Sequence, residues 1–346
     1  MSNQKLTSGH NSNNTQISGD MIIQQGITFA DARQIAIDVV KSEIEIFQNS
    51  ASKIIKERID HIASGIAEEV RLRLKGDFSI FGDPDFQYVL YNVGISFARS
   101  GNESLEELLI KLVGERAVEN SRSTKQSILN EAIEICGKMT EGQLKILASI
   151  FIPAYTIMPA KNLNELGNCL NQSVAGPLND FNEDELEYNH LEFLRCISVR
   201  TAINVDLVDH IRNSYALFFV NKLAVERFPI NLKKYLDDDA LFFYSDDRLK
   251  VSPTSLNATE FKKLLTSKNV PEQEIKLLDE LYGSLIFNKD ITKNMIIDVS
   301  PDMKIVFEKW GRSGVERWQL TSVGKVLAVS YLRHLRIDLD YGTWLK

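Results

Sequence analysis

The chain has 346 residues, 44% of them hydrophobic and 25% charged, enough for two or three domains of roughly 100–200 residues and a sizeable core. A formal net charge of −7 excludes general electrostatic affinity for nucleic acid, so any such role needs a local basic patch. Three widely spaced cysteines, Cys136, Cys169 and Cys196, match neither a metal knuckle, a redox pair nor a secreted disulfide framework and are expected to be buried thiols in a reducing cytosol.

Residues 1–27 form a polar head. Within the first twenty, Met1, Leu6 and Ile17 are the sizeable apolar side chains, too few to offset the entropy of ordering the segment alone. A ten-residue echo sets Leu6-Thr7-Ser8-Gly9-His10 against Gln16-Ile17-Ser18-Gly19-Asp20, and the β-prone run Met21-Ile22-Ile23-Gln24-Gln25-Gly26 follows. Short strands, amide side chains and regular glycines suit stacking between identical chains. Asn14, Gln16, Ile17, Gly19, Ile22, Ile23, Gln24 and Gly26 are therefore the candidate self-association residues, with a disordered tail as the alternative. The head lacks the basic and apolar regions of a signal peptide.

Residues 28–75 open on a capping box, Thr28 to Asp31. Apolar residues then recur at three-to-four spacing from Val40 through Ile44, Phe47, Ala51, Ile55, Ile59, Ile62 and Ile66 to Val70, which predicts one long amphipathic helix or two nearly collinear ones. The stripe is also compatible with a coiled-coil seam.

Residues 76–227 read as a helical domain. Asp83-Pro84 marks a helix start; Ser104 to Glu107 and Thr140 to Gln143 have capping-box spacing. Further helices are predicted over 124–139, 162–173, 184–199 and 205–220, with Pro153 and Pro159 breaking or kinking the helix from Thr140. The apolar stretch Leu144 to Met158, interrupted by Lys145, Ser149 and Pro153, is shorter than the roughly 20 residues of a membrane span. The expectation is a cytoplasmic chain with no membrane anchor.

Residues 228–346 change texture. Leu241-Phe242-Phe243-Tyr244 reads as a strand or aromatic cluster, 259–268 and 271–287 as helices. A helix over 301–310, a turn, the strand Val315 to Leu320 and a capped helix over 323–335 predict a C-terminal α+β unit of winged-helix type. The expected fold is thus mainly α: a long N-terminal helix, a helical array and this terminal unit.

No catalytic motif is present. The histidines His10, His61, His190, His210 and His334 lack metal-ligand spacing, and Gly324-Lys325 lacks both the earlier glycine and the Ser/Thr of a phosphate loop. Glu183-Asp184-Glu185, Asp237-Asp238-Asp239 and Asp246-Asp247 are potential carboxylate sources for a divalent metal, although solvated turns explain them more simply; the expectation is no metal and no cofactor. Arg312, Arg317, Lys325 and Arg333, with His334 and Arg336, are candidate phosphate contacts if the terminal unit binds nucleic acid. Trp310 and Trp318 are expected in its core.

Two stretches resemble known families. The head with Gly26-Ile27-Thr28-Phe29-Ala30-Asp31-Ala32-Arg33-Gln34-Ile35-Ala36-Ile37-Asp38-Val39 resembles an N-terminal block of bacterial proteins associated with phage defence. Leu320-Thr321-Ser322-Val323-Gly324-Lys325-Val326-Leu327-Ala328 is similar to the terminal segment of a bacterial family akin to abortive-infection alpha proteins. The head also resembles bacterial amyloid signalling sequences related to the RHIM core, with Ser18 before Gly19 and Gln25 in place of an apolar residue. These resemblances imply a defence setting and self-assembly. The leading expectation is a non-enzymatic homo-oligomer that also meets a phage or host protein; the alternatives are a nucleic-acid-binding regulator and an effector with a hydrolase site.

Overall fold

The computed structural model describes residues 27–41, 49–119, 122–176, 182–199, 206–244 and 250–337, and they fold into a mainly helical protein with two small antiparallel sheets. Helix α1, Phe29–Lys41, begins at the expected capping box: the Thr28 amide donates to Asp31 Oδ2 at 3.0 Å and the Asp31 amide to Thr28 Oγ1 at 3.2 Å. Helix α2, Asn49–Arg73, does not continue α1. Arg33 Nε donates to Ser64 Oγ at 2.9 Å, whereas one straight helix would hold residues 31 apart roughly 45 Å from each other. The long or collinear helix is therefore corrected to two helices packed on each other, because Ala32, Ala36 and Ile37 bury one apolar face together with Ile59, Ile62 and Ile66. Periodicity reports that a face is apolar and says nothing about what covers it.

Helices α3 (Pro84–Ser100), α4 (Glu103–Val118), α5 (Thr124–Cys136) and α6 (Glu141–Tyr155) complete the first array. Asp83 caps α3 by accepting from Phe86 N, with Pro84 at the first position, and Thr140 and Gln143 form the full capping box of α6. Helix α4 starts at Glu103, so Ser104 falls inside its first turn and not at its cap. Pro153 lies within α6, two residues from its end, where few later amide bonds remain to be lost. Helix α7 (Leu163–Leu170), a π turn at Asn171–Ala175 and helix α8 (Glu185–Phe193) lead to strand β1, Ile197–Val199.

After α9 (Leu207–Ser214) the chain leaves this body. Strands β2 (Leu223–Ala224), β3 (Phe242–Tyr244) and β4 (Lys250–Pro253), in the order β2-β4-β3, with helices α10 (Ala258–Ser267) and α11 (Glu272–Leu285), form a lobe with its own core. Its centre is an aromatic row in which Phe228, Phe242, Phe261 and Tyr282 follow one another at 5.3, 5.6 and 5.1 Å between ring centroids. The Phe287 amide then donates to Phe219 O and the Asn221 amide to Leu285 O, both at 2.8 Å. The lobe is an insertion, and its entry and exit strands are tied side by side.

The chain returns through α12 (Lys289–Val299) and α13 (Met303–Ser313) to β5 (Trp318–Leu320) and α14 (Ser322–His334). Strand β5 pairs with β1, Val199 opposite Trp318 and Ile197 opposite Leu320. The expected wing has no local partner strand among the described residues; its partner lies more than a hundred residues earlier. Helix α14 buries Val326 to Leu332 without a break and packs on α6, α5 and α4, the burial of a helix enclosed on all sides. Thus Ala32 to Phe219 and Ile296 to Leu332 share one core. A separate unit over 228–346 is not what the cores show: the second core covers Ala216 to Tyr282. Trp310 and Trp318 are buried, as expected, but in the first core.

Candidate functional site

The last turns of α2, the middle of α4 and the end of α14 meet at a charged cleft. Residues four apart on a helix share a face, which sets Glu69 beside Arg73 on α2 and aligns Glu107, Lys111 and Glu115 along α4. Arg73 Nε donates to Glu69 Oε1 at 2.6 Å and its Nη1 to Glu115 Oε1 at 2.9 Å. Lys111 Nζ reaches Glu69 Oε2 at 2.6 Å. From α14, Arg333 Nη1 donates to the same Glu115 Oε1 at 2.9 Å, and His334 Nδ1 lies 2.8 Å from Glu107 Oε2. Lys111, Glu69, Arg73, Glu115 and Arg333 are thereby one chain of alternating charges across three helices. Burial works against the Arg73 charge, but the Glu69 hydrogen bond and the charges of Glu115 and Glu69 outweigh it and hold Arg73 above the usual guanidinium range. Gly114 makes the room for this arrangement, since any side-chain carbon there would meet Glu69 and Arg73.

The cleft encloses about 280 Å³ and is lined by Arg73, Lys111, Arg333, His334, Arg336 and Glu107, among others. Among the described residues its four Lys and Arg groups face three carboxylates, Glu69, Glu107 and Glu115, so positive charge is in excess there. Arg336 has no ion-pair partner among the described residues and adopts a left-handed backbone, φ 63°. A contrasting cation sits deeper: Arg116, fully buried, uses Nη2 on Asp85 Oδ2 at 2.5 Å, Nε on Asn130 Oδ1 at 2.7 Å and Nη1 on Glu119 O at 2.9 Å. Hydrogen bonds from Arg116 and then Asn130 hold the Asp85 carboxyl below the ordinary carboxylate range.

The model of one protein family, whose description reads ":-like", matches residues 26–345. The chain belongs to that family. Neither the curated proteins nor the solved structures give a match. The matched span takes in every residue of the cleft and leaves out residues 1–25.

The residues singled out from the sequence fall as follows. Arg333 lies in the cleft. Arg312 pairs with Glu183 at 3.1 Å, Arg317 Nε donates weakly to Gly314 O at 3.5 Å, and Lys325 Nζ stands 4.5 Å from the centre of the Tyr155 ring. The four cations thus have four different surroundings and form no common patch through their contacts. Asn14, Gln16, Ile17, Gly19, Ile22, Ile23, Gln24 and Gly26 lie outside the described residues, as do His10, Asp246 and Asp247. Asp184 caps α8 and Asp238 is tied to Lys268 at 2.7 Å, so both acidic runs have structural roles. Among the described residues no group of three His, Cys, Asp or Glu side chains is placed to hold a metal ion.

Cys136 and Cys196 are buried, and burial pushes both thiols up, Cys196 to about 12; Cys169 is half-buried. The run Leu144 to Ile152 is core apart from the half-buried Lys145, and no helix among the described residues is long and apolar enough to cross a membrane.

The cleft was missed from the sequence, although its ion-pair spacings on α2 and α4 are visible there. A further signal was the apolar run Val326 to Leu332, which marks an enclosed helix and so brings Arg333 and His334 against older parts of the chain.

Proposed function

We propose that this chain is a non-enzymatic, self-associating interaction protein of bacterial anti-phage defence, which assembles through residues 1–27 and takes its ligand or partner in the α2–α4–α14 cleft. The observation that carries the binding role is the excess of cations over carboxylates in a concave site joining both ends of the folded body. The resemblance of residues 26–39 and 320–328 to defence-associated families supports the setting, and the amide- and glycine-rich head supports the assembly. Native mass spectrometry of the full chain and of a form lacking residues 1–26 tests this reading. The full chain is expected as an oligomer and the shortened form with fewer subunits; an unchanged subunit number contradicts it.

A second reading is a nucleic-acid-binding regulator acting through the terminal helix–strand–helix segment in a winged-helix-like manner, and the position of Arg333 in a cation-rich cleft favours it. Binding would then weaken with salt and be lost in Arg317→Glu and Arg333→Glu. Salt-independent or absent binding removes it.

A further inference from the structure

We propose that the α2–α4–α14 cleft binds a small ligand carrying one or two phosphate groups; the proposal rests on the binding role above and names its ligand class. A guanidinium kept for structure has the pattern of Arg116: fully buried, with Nε, Nη1 and Nη2 all satisfied inside the protein. Arg73 differs. Glu69 and Glu115 hold its Nε and Nη1, while Nη2 has no partner among the described residues and the side chain keeps 26% of its exposure. The guanidinium is thus fixed in place by two carboxylates with a donor in reserve, the preorganisation that planar recognition of phosphate exploits. Lys111, half-exposed at the cleft and paired with Glu69, adds an ammonium.

Arg336, at φ 63°, follows α14 in the left-handed conformation that Lys75, Arg195 and Asn269 also adopt after helices, and it lines the cleft beside Arg73, Lys111 and Arg333. The chain as a whole is acidic, at −7, so this local positive excess runs against its general field. A volume of about 280 Å³ holds pyrophosphate or the phosphate end of a nucleotide. Phosphate is preferred to carboxylate because its three or more acceptor oxygens match donors arriving from three helices.

Isothermal titration of the full chain with sodium pyrophosphate at low salt tests the proposal. One site per chain is expected, with affinity at least tenfold weaker in Lys111→Ala and in Arg336→Gly. Arg336→Gly puts glycine in a left-handed conformation that it adopts readily, so its urea midpoint is expected at or above that of the parent and a weakened affinity is not a folding defect. Parallel titrations with orthophosphate and adenosine diphosphate distinguish a bare phosphate site from one that also reads a nucleoside, and tight binding in either arm supports the proposal. An absence of binding in all three arms, or affinity unchanged in both variants, overturns it. Release of orthophosphate from the added ligand would uphold the phosphate site and overturn the non-enzymatic reading, whereas the mass of the head-deleted form bears on assembly alone.

Discussion

Gly114 lies directly against Arg73: a side-chain carbon at Gly114 would stand 2.7 Å from Arg73 Nε and 2.5 Å from Glu69 Cγ. A glycine inside a helix normally costs about 1 kcal/mol relative to alanine, so Gly114→Ala should stabilise α4 if the position were open. Here it drives Glu69, whose side chain is nearly buried, out of its pairing with Arg73 and Lys111. A net loss of about 1–2 kcal/mol is expected from overpacking, read as a lower urea midpoint with an unchanged slope. A stabilised variant would contradict the ion-pair arrangement.

Asp85 is the carboxylate that answers the buried Arg116, and Asp85→Asn leaves that cation without a counter-charge. Removing one partner of a buried pair costs roughly 3–5 kcal/mol; the Asp85 side chain is 52% exposed, so a loss of about 2 kcal/mol is expected. The pH dependence follows from the sign of the shift. The folded Asp85 pKa lies below its unfolded value, so the pair contributes fully above about pH 4, where both states are ionised, and the contribution disappears as pH falls through the folded pKa. Urea midpoints of parent and variant should differ by a constant amount from pH 7 to about pH 5 and converge on further acidification. Midpoints that diverge in acid would contradict the assignment.

Two glycines in helices provide an opposed pair. A Cβ at Gly324 would stand 2.0 Å from the carbonyl oxygen of Cys196, because the first turn of α14 rests on the backbone leading into β1, whereas at Gly283 nothing lies within 4 Å. Gly324→Ala meets backbone that cannot rotate away and should lose about 3 kcal/mol; Gly283→Ala should gain up to about 1 kcal/mol. Thermal unfolding by calorimetry separates them, and equal effects at both positions would sink the account of how α14 is seated.

What could be read from the sequence was local. Thr28 with Asp31, Asp83 with Pro84 and Thr140 with Gln143 each signal a helix start within four residues, and each one caps a helix in the structure. What failed depended on distance along the chain. Strand β1 was read as part of a helix because Ser198 finds Gln319 only 121 residues later. Helix α12, Lys289–Val299, went unread between two stronger patterns. The change of texture near Phe228 falls inside the second core, which takes in Ala216, and nothing local announced that this core ends near Tyr282 and that the chain then rejoins the first. The cleft follows the same rule: Arg333 and Glu115 are 218 residues apart, so their shared ion pair exists only once α14 has been enclosed.

That enclosure is the central structural claim, and native-state hydrogen exchange of α14 tests it most directly. Val326 to Leu332 pack on α4, α5 and α6 in one core, and elements that share a core open together. Measured by mass spectrometry across sub-denaturing urea, the amides of α14 should exchange through the same opening as those of α6, at the free energy of global unfolding. Exchange of α14 in an earlier opening of its own, independent of α6, would contradict the account and restore a separate terminal unit.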